Sequence, residues 1–404
     1  MKIQFSKRLN EELKSLMEYR TDSVQIDQGL TAKVSSNKTL LIEPLEPQIG
    51  ETLSACGGFI QALQKDILVK MGMEISEQEL ARRLLLIRAI VQNTPVEAVA
   101  NPIVTGILMA KMRFFRASDV ADNPYYRDIK IEEVHNGRFV LFNHVMPKNL
   151  ITLYDNSTVL DYGVVLPSIC LIEEDIPYSA LGEWEKTWMS VDPHEIYTMQ
   201  DGIDKAHSKV VTLGCGMGYF AYMASLKENV ESVTIVEREP EVIEIFQSHI
   251  LPQMKTKDKI RIIQEDAFSF LSSLKDGDYN YCYADIWEGP GGYMDYLRVR
   301  GLCNRLKKTE VQYWLEPNMN AFLLQSFIHW LTNQMVKAQA RWMQSGQPPQ
   351  NKDALGLFPL WSALCRNETV TTPEQLRAMA DIDQFSQRLC NKSLTKLLED
   401  LKIE

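Results

Sequence analysis

Cysteine is sparse in this sequence, and no two cysteines stand in a C-x-x-C pair. The seven cysteines are scattered along the chain: Cys56, Cys170, Cys215, Cys282, Cys303, Cys365 and Cys390. Structural zinc sites and disulfide frameworks need closely spaced or regularly paired cysteines, so this pattern predicts neither a metal site nor a disulfide framework. It is typical of a protein that works in a reducing cytosol.

Basic charge is also in deficit. Lys and Arg number 43 against 53 Asp and Glu, which gives a net charge of −10. Proteins that bind nucleic acid broadly need a basic face to neutralise phosphates, so we expect no nucleic-acid partner. One basic cluster is a local exception, for which we expect a solvated helix face or an anion contact: Arg298, Arg300, Arg305, Lys307 and Lys308.

Long apolar runs are lacking as well. Residues 1–8 do not contain the apolar core of a signal peptide. The longest run without a charged side chain, residues 317–336, carries five Asn or Gln residues and is a poor candidate for a membrane span. We therefore expect no membrane partner and a cytoplasmic location.

What the sequence does contain is enough apolar material for more than one folded unit. The 404 residues are 45% hydrophobic and 24% charged, as in soluble globular proteins. We expect an α/β protein with four regions: a helical domain over 1–128, a β-rich subdomain over 129–190, a Rossmann-like domain over 191–318 and a helical extension over 319–404. The two helical appendages make a homodimer a candidate assembly.

Helix signals fill the N-terminal region. Ser76-x-x-Glu79 is a capping box that opens a helix with one apolar face, and residues 52–71 predict another helix. Residues 94–97 predict the start of a third helix, with a kink at Pro102. No catalytic constellation is visible here, so an accessory or oligomerisation role is expected.

The periodicity then changes to short β-rich runs over residues 137–143, 150–154 and 159–165. The C-terminal region is helical again, with a long helix over 319–344 and a loop over 345–351. Further helices are expected from a capping box at residues 372–375 and over residues 393–401.

A buried strand that runs into a glycine-rich turn marks the α/β domain. Residues 209–213 form the apolar strand, and Gly214, Gly216 and Gly218 follow it around Cys215. Glycine has no Cβ and adopts positive φ, so the backbone can turn sharply and approach a ligand closely. The helix that follows presents unpaired N–H groups to an anionic ligand group. We expect Cys215 to present its backbone and not to act as a nucleophile.

The glycine spacing distinguishes between cofactors. A dinucleotide-binding turn has the pattern G-x-G-x-x-G, which would place the third glycine at Tyr219. Here the third glycine is Gly218, so a nicotinamide cofactor is disfavoured.

Acidic residues follow the next three apolar strands, at Glu237, Asp266 and Asp285. In open α/β sheets, ligands bind outside the carboxyl ends of the strands, so these side chains and the glycine turn are expected to converge. A carboxylate can accept hydrogen bonds from both hydroxyls of a ribose, which is the role we expect of Glu237. A fifth strand is expected over residues 311–316.

These motifs resemble class I S-adenosylmethionine (SAM) dependent methyltransferases, most of all the spermidine-synthase-like branch. The likeness covers residues 191–316 and includes the segments 236–246, 251–252 and 266–271. It implies SAM as cofactor and an adenine site at Asp266 and Ala267. The cofactor residues that it implies are Gly214, Cys215, Gly216, Gly218, Glu237, Asp266, Ala267 and Asp285.

Two departures from the resembled families stand out. Thr212 occupies the position where methyltransferases usually have an acidic residue. The aminopropyltransferase signature, an Asp followed by Ser-Ser-Asp-Pro, is replaced by Asp285-Ile-Trp-Glu288. The second carboxylate of an amine pocket therefore has no clear counterpart.

For the chemistry, the resemblance implies direct displacement on the SAM sulfonium, in which the protein mainly holds donor and acceptor in line. Asp285 and Glu288 are the candidate catalytic bases. Trp287 is expected to form a wall of the pocket, by stacking or by a cation–π contact.

Substrate-pocket residues are expected just before the first strand of the sheet. His194, Glu195 and Tyr197 lie where the resembled family places a helix that lines the cofactor and acceptor pocket. The alternative is that Asp192-Pro193 merely caps this helix and His194 is a surface residue of its first turn.

Three functions stay open on the sequence. The leading one is a SAM-dependent methyltransferase with an unidentified, small-molecule acceptor. The second is an aminopropyltransferase that uses decarboxylated SAM, and the third is a non-catalytic adenosyl-binding protein.

Overall fold

A computed structural model describes the chain over residues 1–18, 40–41, 46–63, 75–91, 102–159, 165–184, 186–343 and 353–403. The strands in these ranges are Lys2–Ile3 (β1), Leu40–Leu41 (β2), Arg113–Phe115 (β3), Val134–Asn136 (β4), Phe139–Met146 (β5), Leu150–Val159 (β6), Val165–Ile172 (β7), Ile176–Glu183 (β8), Lys186–Ser190 (β9), Ser208–Leu213 (β10), Val230–Glu237 (β11), Ile260–Gln264 (β12), Tyr281–Ala284 (β13), Glu310–Tyr313 (β14) and Thr369–Val370 (β15). The helical segments are 7–18 (α1), Ile49–Leu63 (α2), Glu77–Val91 (α3), Pro102–Lys111 (α4), Ala117–Ala121 (α5), Pro124–Asp128 (α6), Pro193–Lys205 (α7), Tyr219–Ser225 (α8), Pro240–Ile245 (α9), Ala267–Ser273 (α10), Tyr293–Cys303 (α11), Glu316–Trp342 (α12), Phe358–Leu364 (α13), Pro373–Ala380 (α14), Ile382–Leu389 (α15) and Leu394–Asp400 (α16).

A five-stranded parallel sheet positions the candidate site. Its spatial order is β12-β11-β10-β13-β14, so the strand order reverses beside β10. This is the Rossmann order, in which ligands bind at the carboxyl end of the strands at the reversal point. Parallel strands with both faces covered are apolar along their length, and Val210, Val211 and Leu213 of β10 are fully buried. The predicted Rossmann-like α/β fold is confirmed.

The sheet ends at β14 in the described part of the chain. The predicted fifth strand over 311–316 stops at Tyr313, because Leu315 takes a left-handed φ of 53° and Glu316 begins α12. Pro317 lies in the first turn of α12, where its missing N–H needs no partner, so the predicted region boundary at 318 falls inside this helix. After β14, the strand found in residues 316–343 and 353–403 is β15, which pairs with β1 and not with the central sheet.

The β-rich region contains two four-stranded sheets, β2-β6-β7-β3 and β4-β5-β8-β9. The predicted runs over 137–143 and 150–154 correspond to β5 and β6. The run over 159–165 does not form one strand. It joins the end of β6 to the start of β7, and residues 160–164 lie outside the described ranges.

Helices α3 and α4 pack on the first of these sheets and share an apolar core with it. The predicted cap of α3 is present, since the Ser76 hydroxyl accepts from the Glu79 N–H at 3.2 Å. In the described residues α4 begins at Pro102, whereas the predicted helix start at 94–97, on which a kink at Pro102 depends, lies outside them. Strands β2 and β3 come from the predicted helical domain 1–128, yet they pair with β6 and β7.

The first residues of the chain pack against the C-terminal helices. β1 pairs with β15, and Arg377 of α14 makes two hydrogen bonds to the Glu12 carboxylate, at 2.6 and 2.7 Å. The predicted capping box of Thr372 and Gln375 is present at the start of α14. The loop predicted over 345–351 lies outside the described residues.

One member of the basic cluster differs from the expected solvated face. Arg300 is 4% exposed, and its guanidinium is ion-paired with Glu316 and hydrogen-bonded to Tyr296 at 2.6 Å. A buried guanidinium needs an anionic partner, and here that partner is Glu316, the first residue of α12. The ion pair therefore links α11 to the start of α12. None of the helices in the described ranges is both long and apolar enough to cross a bilayer.

Candidate functional site

The glycine turn between β10 and α8 carries three left-handed residues. Gly214, Gly216 and Gly218 have φ values of 96°, 49° and 71°. Residues with a side chain rarely adopt this backbone conformation, whereas glycine does so readily. The three glycines of the G-x-G-x-G sequence therefore permit the turn. We call residues 214–218 the glycine bend.

Close contacts also require glycine at these three positions. A Cβ on Gly214 would lie 2.2 Å from the Asp285 carbonyl oxygen, and one on Gly218 would lie 2.3 Å from the Phe246 ring. A Cβ on Gly216 would lie 2.1 Å from the Met189 sulfur. The bend is therefore held between β13, the helical segment after α9 and strand β9.

Glu237 ends β11 with its carboxylate turned toward the glycine bend. Its Oε2 accepts from the Cys215 N–H at 3.0 Å. Its Oε1 accepts from the N–H groups of Arg238 and Glu239, at 2.7 and 2.9 Å. Each carboxylate oxygen has two lone pairs, so Oε1 is fully used and Oε2 keeps one lone pair for a ligand hydroxyl.

Asp266 follows β12, at the same edge of the sheet, and it caps α10. Its Oδ1 accepts from the N–H groups of Phe268 and Ser269, at 3.1 and 2.9 Å. Ala267 is the buried first residue of α10. Both capping bonds use Oδ1, so Oδ2 of Asp266 is the oxygen that can accept a hydrogen bond from an amine of a ligand.

Asp285 follows β13 directly beside the bend. Its N–H donates to the Leu213 carbonyl at 3.1 Å, and its own carbonyl faces Gly214. The residue as a whole is half-buried, and removal of its carboxyl group from water raises the pKa of that group to about 7. A carboxyl with this pKa can exchange a proton near neutral pH.

Tyr283, two residues before Asp285, packs against α7, where a Cβ on Gly202 would lie 2.4 Å from its ring. Its hydroxyl is buried and has no hydrogen-bond partner among the described residues. Burial and then the negative charge of Asp285, with a smaller effect of Glu195, raise the pKa of Tyr283.

The start of α7 is capped by Asp192, as the alternative interpretation expected. The Asp192 Oδ1 accepts from the N–H groups of His194 and Glu195, at 2.8 and 3.0 Å. Tyr197 accepts a 2.6 Å hydrogen bond from Arg113 of β3, whose guanidinium also lies 4.7 Å from the ring centre. His194, Glu195 and Tyr197 are half-buried, so all three side chains are partly accessible.

Two residues predicted after β13 have different surroundings from those expected. Trp287 is 5% exposed, its indole N–H donates to the Trp314 carbonyl at 3.1 Å, and its ring packs edge-on against Tyr296. It therefore belongs to the core, which differs from the predicted pocket wall. Glu288 is exposed and forms an ion pair with Lys186 at 2.5 Å.

Cys215 is buried, and burial raises the pKa of its thiol, so it stays protonated and unreactive at neutral pH. This agrees with the expectation that its backbone is what matters in the bend. No group of His, Cys, Asp and Glu in the described parts of the chain could hold a metal ion.

Sequence reasoning missed two residues that touch the bend. The Met189 sulfur lies 2.9 Å from the Met217 nitrogen, and the Tyr125 hydroxyl donates to the Met217 carbonyl at 2.8 Å. Neither belongs to a motif, since each reaches the bend from a different part of the chain. The one local pattern near either residue is Asn123-Pro124 directly before Tyr125, which is typical of a helix start.

Comparison with known proteins adds little beyond the fold. No protein family matches the sequence, and no curated protein matches it. The solved structures to which the chain is similar include the following three. Precorrin 8w decarboxylase from Methanobacterium thermoautotrophicum has 17% identity over 30% of this chain and 61% of that one, with a TM-score of 0.23. The PRMT1 enzyme–prozyme complex with AdoHcy from Trypanosoma brucei has 15% identity over 30% and 38%, with a TM-score of 0.24. Spermidine synthase from Thermotoga maritima has 11% identity over 45% and 71%, with a TM-score of 0.29.

The chain thus spans less than two thirds of the first two of these proteins. Identities and TM-scores this low carry no argument about activity. The strand order and the contacts of the bend define the site.

Proposed function

We propose that this protein binds SAM at the carboxyl edge of the five-stranded sheet and transfers its methyl group to a small-molecule acceptor. The observation that carries the proposal is the 3.0 Å hydrogen bond between Glu237 and the Cys215 N–H. It fixes a carboxylate, of the kind that accepts ribose hydroxyls, against a bend whose three glycines all have a left-handed backbone.

The residues present suit an adenosyl ligand. Oε2 of Glu237 would accept a ribose hydroxyl, and Oδ2 of Asp266 would accept the adenine amine, with Ala267 beside the ring. Gly214, Cys215, Gly216 and Gly218 would provide the floor beneath the ligand. When bound, SAM supplies a methyl group on a sulfonium that needs no further activation.

The chain's own part in the reaction is orientation and proton removal. Asp285, with a pKa of about 7, would accept a proton from the acceptor near neutral pH. His194, Glu195 and Tyr197 would hold the acceptor from the α7 side. Glu288 is exposed and ion-paired with Lys186, so it is less suited than Asp285 to act as the base.

A second function, aminopropyl transfer from decarboxylated SAM, needs an acidic group for a cationic amine acceptor. The observation that favours it is the acidic residue Asp285 directly beside the glycine bend. Competition between SAM and decarboxylated SAM, each with a panel of amine acceptors, separates this function from methyl transfer. A non-catalytic protein would bind an adenosyl compound and turn over neither donor.

The first test is a thermal-shift screen with SAM, decarboxylated SAM, methylthioadenosine, S-adenosylhomocysteine and NAD. An adenosyl ligand at about 100 times its Kd should add about 2.7 kcal/mol to the free energy of unfolding. Glu237→Gln should weaken binding about 10-fold or more, because a charged acceptor of the ribose is lost. Glu231→Gln, at the opposite end of β11, is the matched control. Stabilisation by NAD alone, or by none of the five compounds, would contradict the proposal.

A further inference from the structure

Met189 lies over the glycine bend and occupies one of its backbone donors. Strand β9 brings the Met189 sulfur to 2.9 Å from the Met217 nitrogen. The same sulfur fills the space where a Cβ on Gly216 would lie, at 2.1 Å. Met217 is fully buried, so its N–H becomes available to a ligand only if the Met189 side chain moves.

The other N–H groups of the bend are almost all used within the protein. Gly214 donates to the Val236 carbonyl, Cys215 to Glu237, and Gly218 to the Cys215 carbonyl, at 2.8 to 3.0 Å. Of the five N–H groups of the glycine bend, the Gly216 N–H is the one with no acceptor among the described residues. A ligand that needs an anion-binding row of amides therefore has to recruit the N–H of Met217.

A thioether is a weak acceptor, whereas a carboxylate accepts charge-assisted hydrogen bonds that are roughly twice as strong as neutral ones. A carboxylated ligand tail can thus displace the sulfur, but the protein must then give up the hydrogen bond between the Met217 N–H and the Met189 sulfur. The charge beside the bend gives the tail no help, since Glu237 is acidic and the Lys186 ammonium is already paired with Glu288.

We propose that Met189 is a specificity-determining residue for the ligand tail. Its thioether lowers the affinity for adenosyl compounds that carry a carboxylate, relative to those that lack one. This inference rests on the proposed adenosyl site, and it adds a residue that the glycine motif does not include. Met189 acts on the N–H of Met217 and takes no part in the transfer step.

The test measures binding by calorimetry to three probes that share the adenosyl group. S-adenosylhomocysteine carries a carboxylate and an ammonium, its decarboxylated form carries only the ammonium, and methylthioadenosine carries neither. In Met189→Leu the side chain keeps its bulk but loses the sulfur acceptor. We expect the Kd of S-adenosylhomocysteine to fall about three- to tenfold, the value of one neutral hydrogen bond, with the other two Kd values within about twofold.

Met254→Leu is the matched control, because Met254 also packs on the bend, beside Gly218, but does not touch an amide of the bend. It should leave the ratios of the three Kd values unchanged. Equal changes for all three probes in Met189→Leu, or no change, would overturn the role of Met189. Tight binding of any probe to the unmodified protein would still support the adenosyl site, so the two failures are distinguishable.

A second measurement does not depend on how the leucine packs. In protein with 13C-labelled methionine methyl groups, the Met189 signal is identified by its loss in Met189→Leu. It should shift when S-adenosylhomocysteine binds and shift much less with methylthioadenosine. Equal shifts with both compounds would show that the sulfur does not respond to the carboxylate, and the inference would fall.

Discussion

At the scale of single residues, Asp285 has the most unusual chemistry in the site. It follows β13 directly beside the glycine bend, and burial raises the pKa of its carboxyl group from 3.8 to about 7. Between about pH 4 and pH 7, the folded protein therefore keeps a proton on Asp285 that the unfolded chain has already released. Stability that depends on this proton is complete below about pH 4 and is lost as the pH rises toward 7.

We therefore predict that Asp285→Asn changes the pH dependence of stability. The wild-type free energy of unfolding should fall between pH 4 and pH 7 relative to the variant. At pH 8 the variant should be more stable by about 1–3 kcal/mol, since no buried carboxylate has to ionise. Urea unfolding at pH 5 and pH 8 measures this difference, and Asp258→Asn, an exposed site, controls for net charge.

The same substitution tests the role of Asp285 in the reaction. If the carboxylate accepts a proton, wild-type turnover should rise with pH through about 7, and Asp285→Asn should remove that rise. Unchanged turnover of the variant with its true acceptor would exclude Asp285 from the chemistry.

At the scale of elements, the short helix α6 supports the bend from below. The Tyr125 hydroxyl donates to the Met217 carbonyl at 2.8 Å, and the Tyr125 ring packs edge-on against Tyr219 and Tyr222 of α8. Pro124 starts α6 and the Asn123 side chain caps it, so the chain fixes the direction of Tyr125 locally. A helix of the N-terminal region thereby sets the shape of a bend in the central domain.

Tyr125→Phe should weaken both the fold and the site. The buried Met217 carbonyl loses its donor, which should cost about 1–3 kcal/mol of stability. The Kd of S-adenosylhomocysteine should rise, because the bend is held less firmly. Tyr222→Phe removes a hydroxyl of the same aromatic cluster that bonds to Asp128. This control should cost stability without changing the Kd; equal Kd values in both variants would contradict the role of Tyr125.

At the scale of the whole molecule, the two ends of the chain form one unit. β1 pairs with β15, and Glu12 of α1 is 7% exposed beneath Arg377 of α14. The long helix α12 lies next to them, with Gln339 hydrogen-bonded to Asn10 at 2.5 Å. The C-terminal helices therefore depend on residues 1–18 for part of their packing.

Arg377→Ala should leave the Glu12 carboxylate buried without its main partner. Because the arginine itself is 58% exposed, we expect a loss of about 1–2 kcal/mol, below the cost of breaking a fully buried pair. Chemical denaturation measures the loss, and Lys396→Ala on the exposed side of α16 is the control. A double variant with Glu12→Gln should recover part of the stability; no recovery would show that the pair is not coupled.

Local patterns were sufficient for the central sheet and most of its ligand-facing edge. The five apolar strands, the G-x-G-x-G turn and the acidic residue after β11 are all readable from a few consecutive residues. The physical reason is that parallel strands buried on both faces need continuous apolar runs, and left-handed backbone favours glycine.

Local patterns were insufficient where a side chain had a choice of surroundings. Trp287 lies next to Asp285 in the sequence but turns into the core, because the Trp314 carbonyl accepts its N–H. Glu288 is exposed and engaged by Lys186, a residue 102 positions away. Two short strands, β2 and β3, complete a sheet whose other strands follow them in the chain, which no periodicity over two or three residues could indicate.

The sequence alone determined the Rossmann-like sheet and the glycine bend, because both follow from the conformational preferences of neighbouring residues. Tertiary structure alone decided what surrounds that bend. Met189 and Tyr125 reach Met217 from 28 and 92 residues away, and such contacts depend on how separate elements pack. Burial likewise sets the pKa of Asp285, since the amount of water around a carboxyl group is a property of the folded chain.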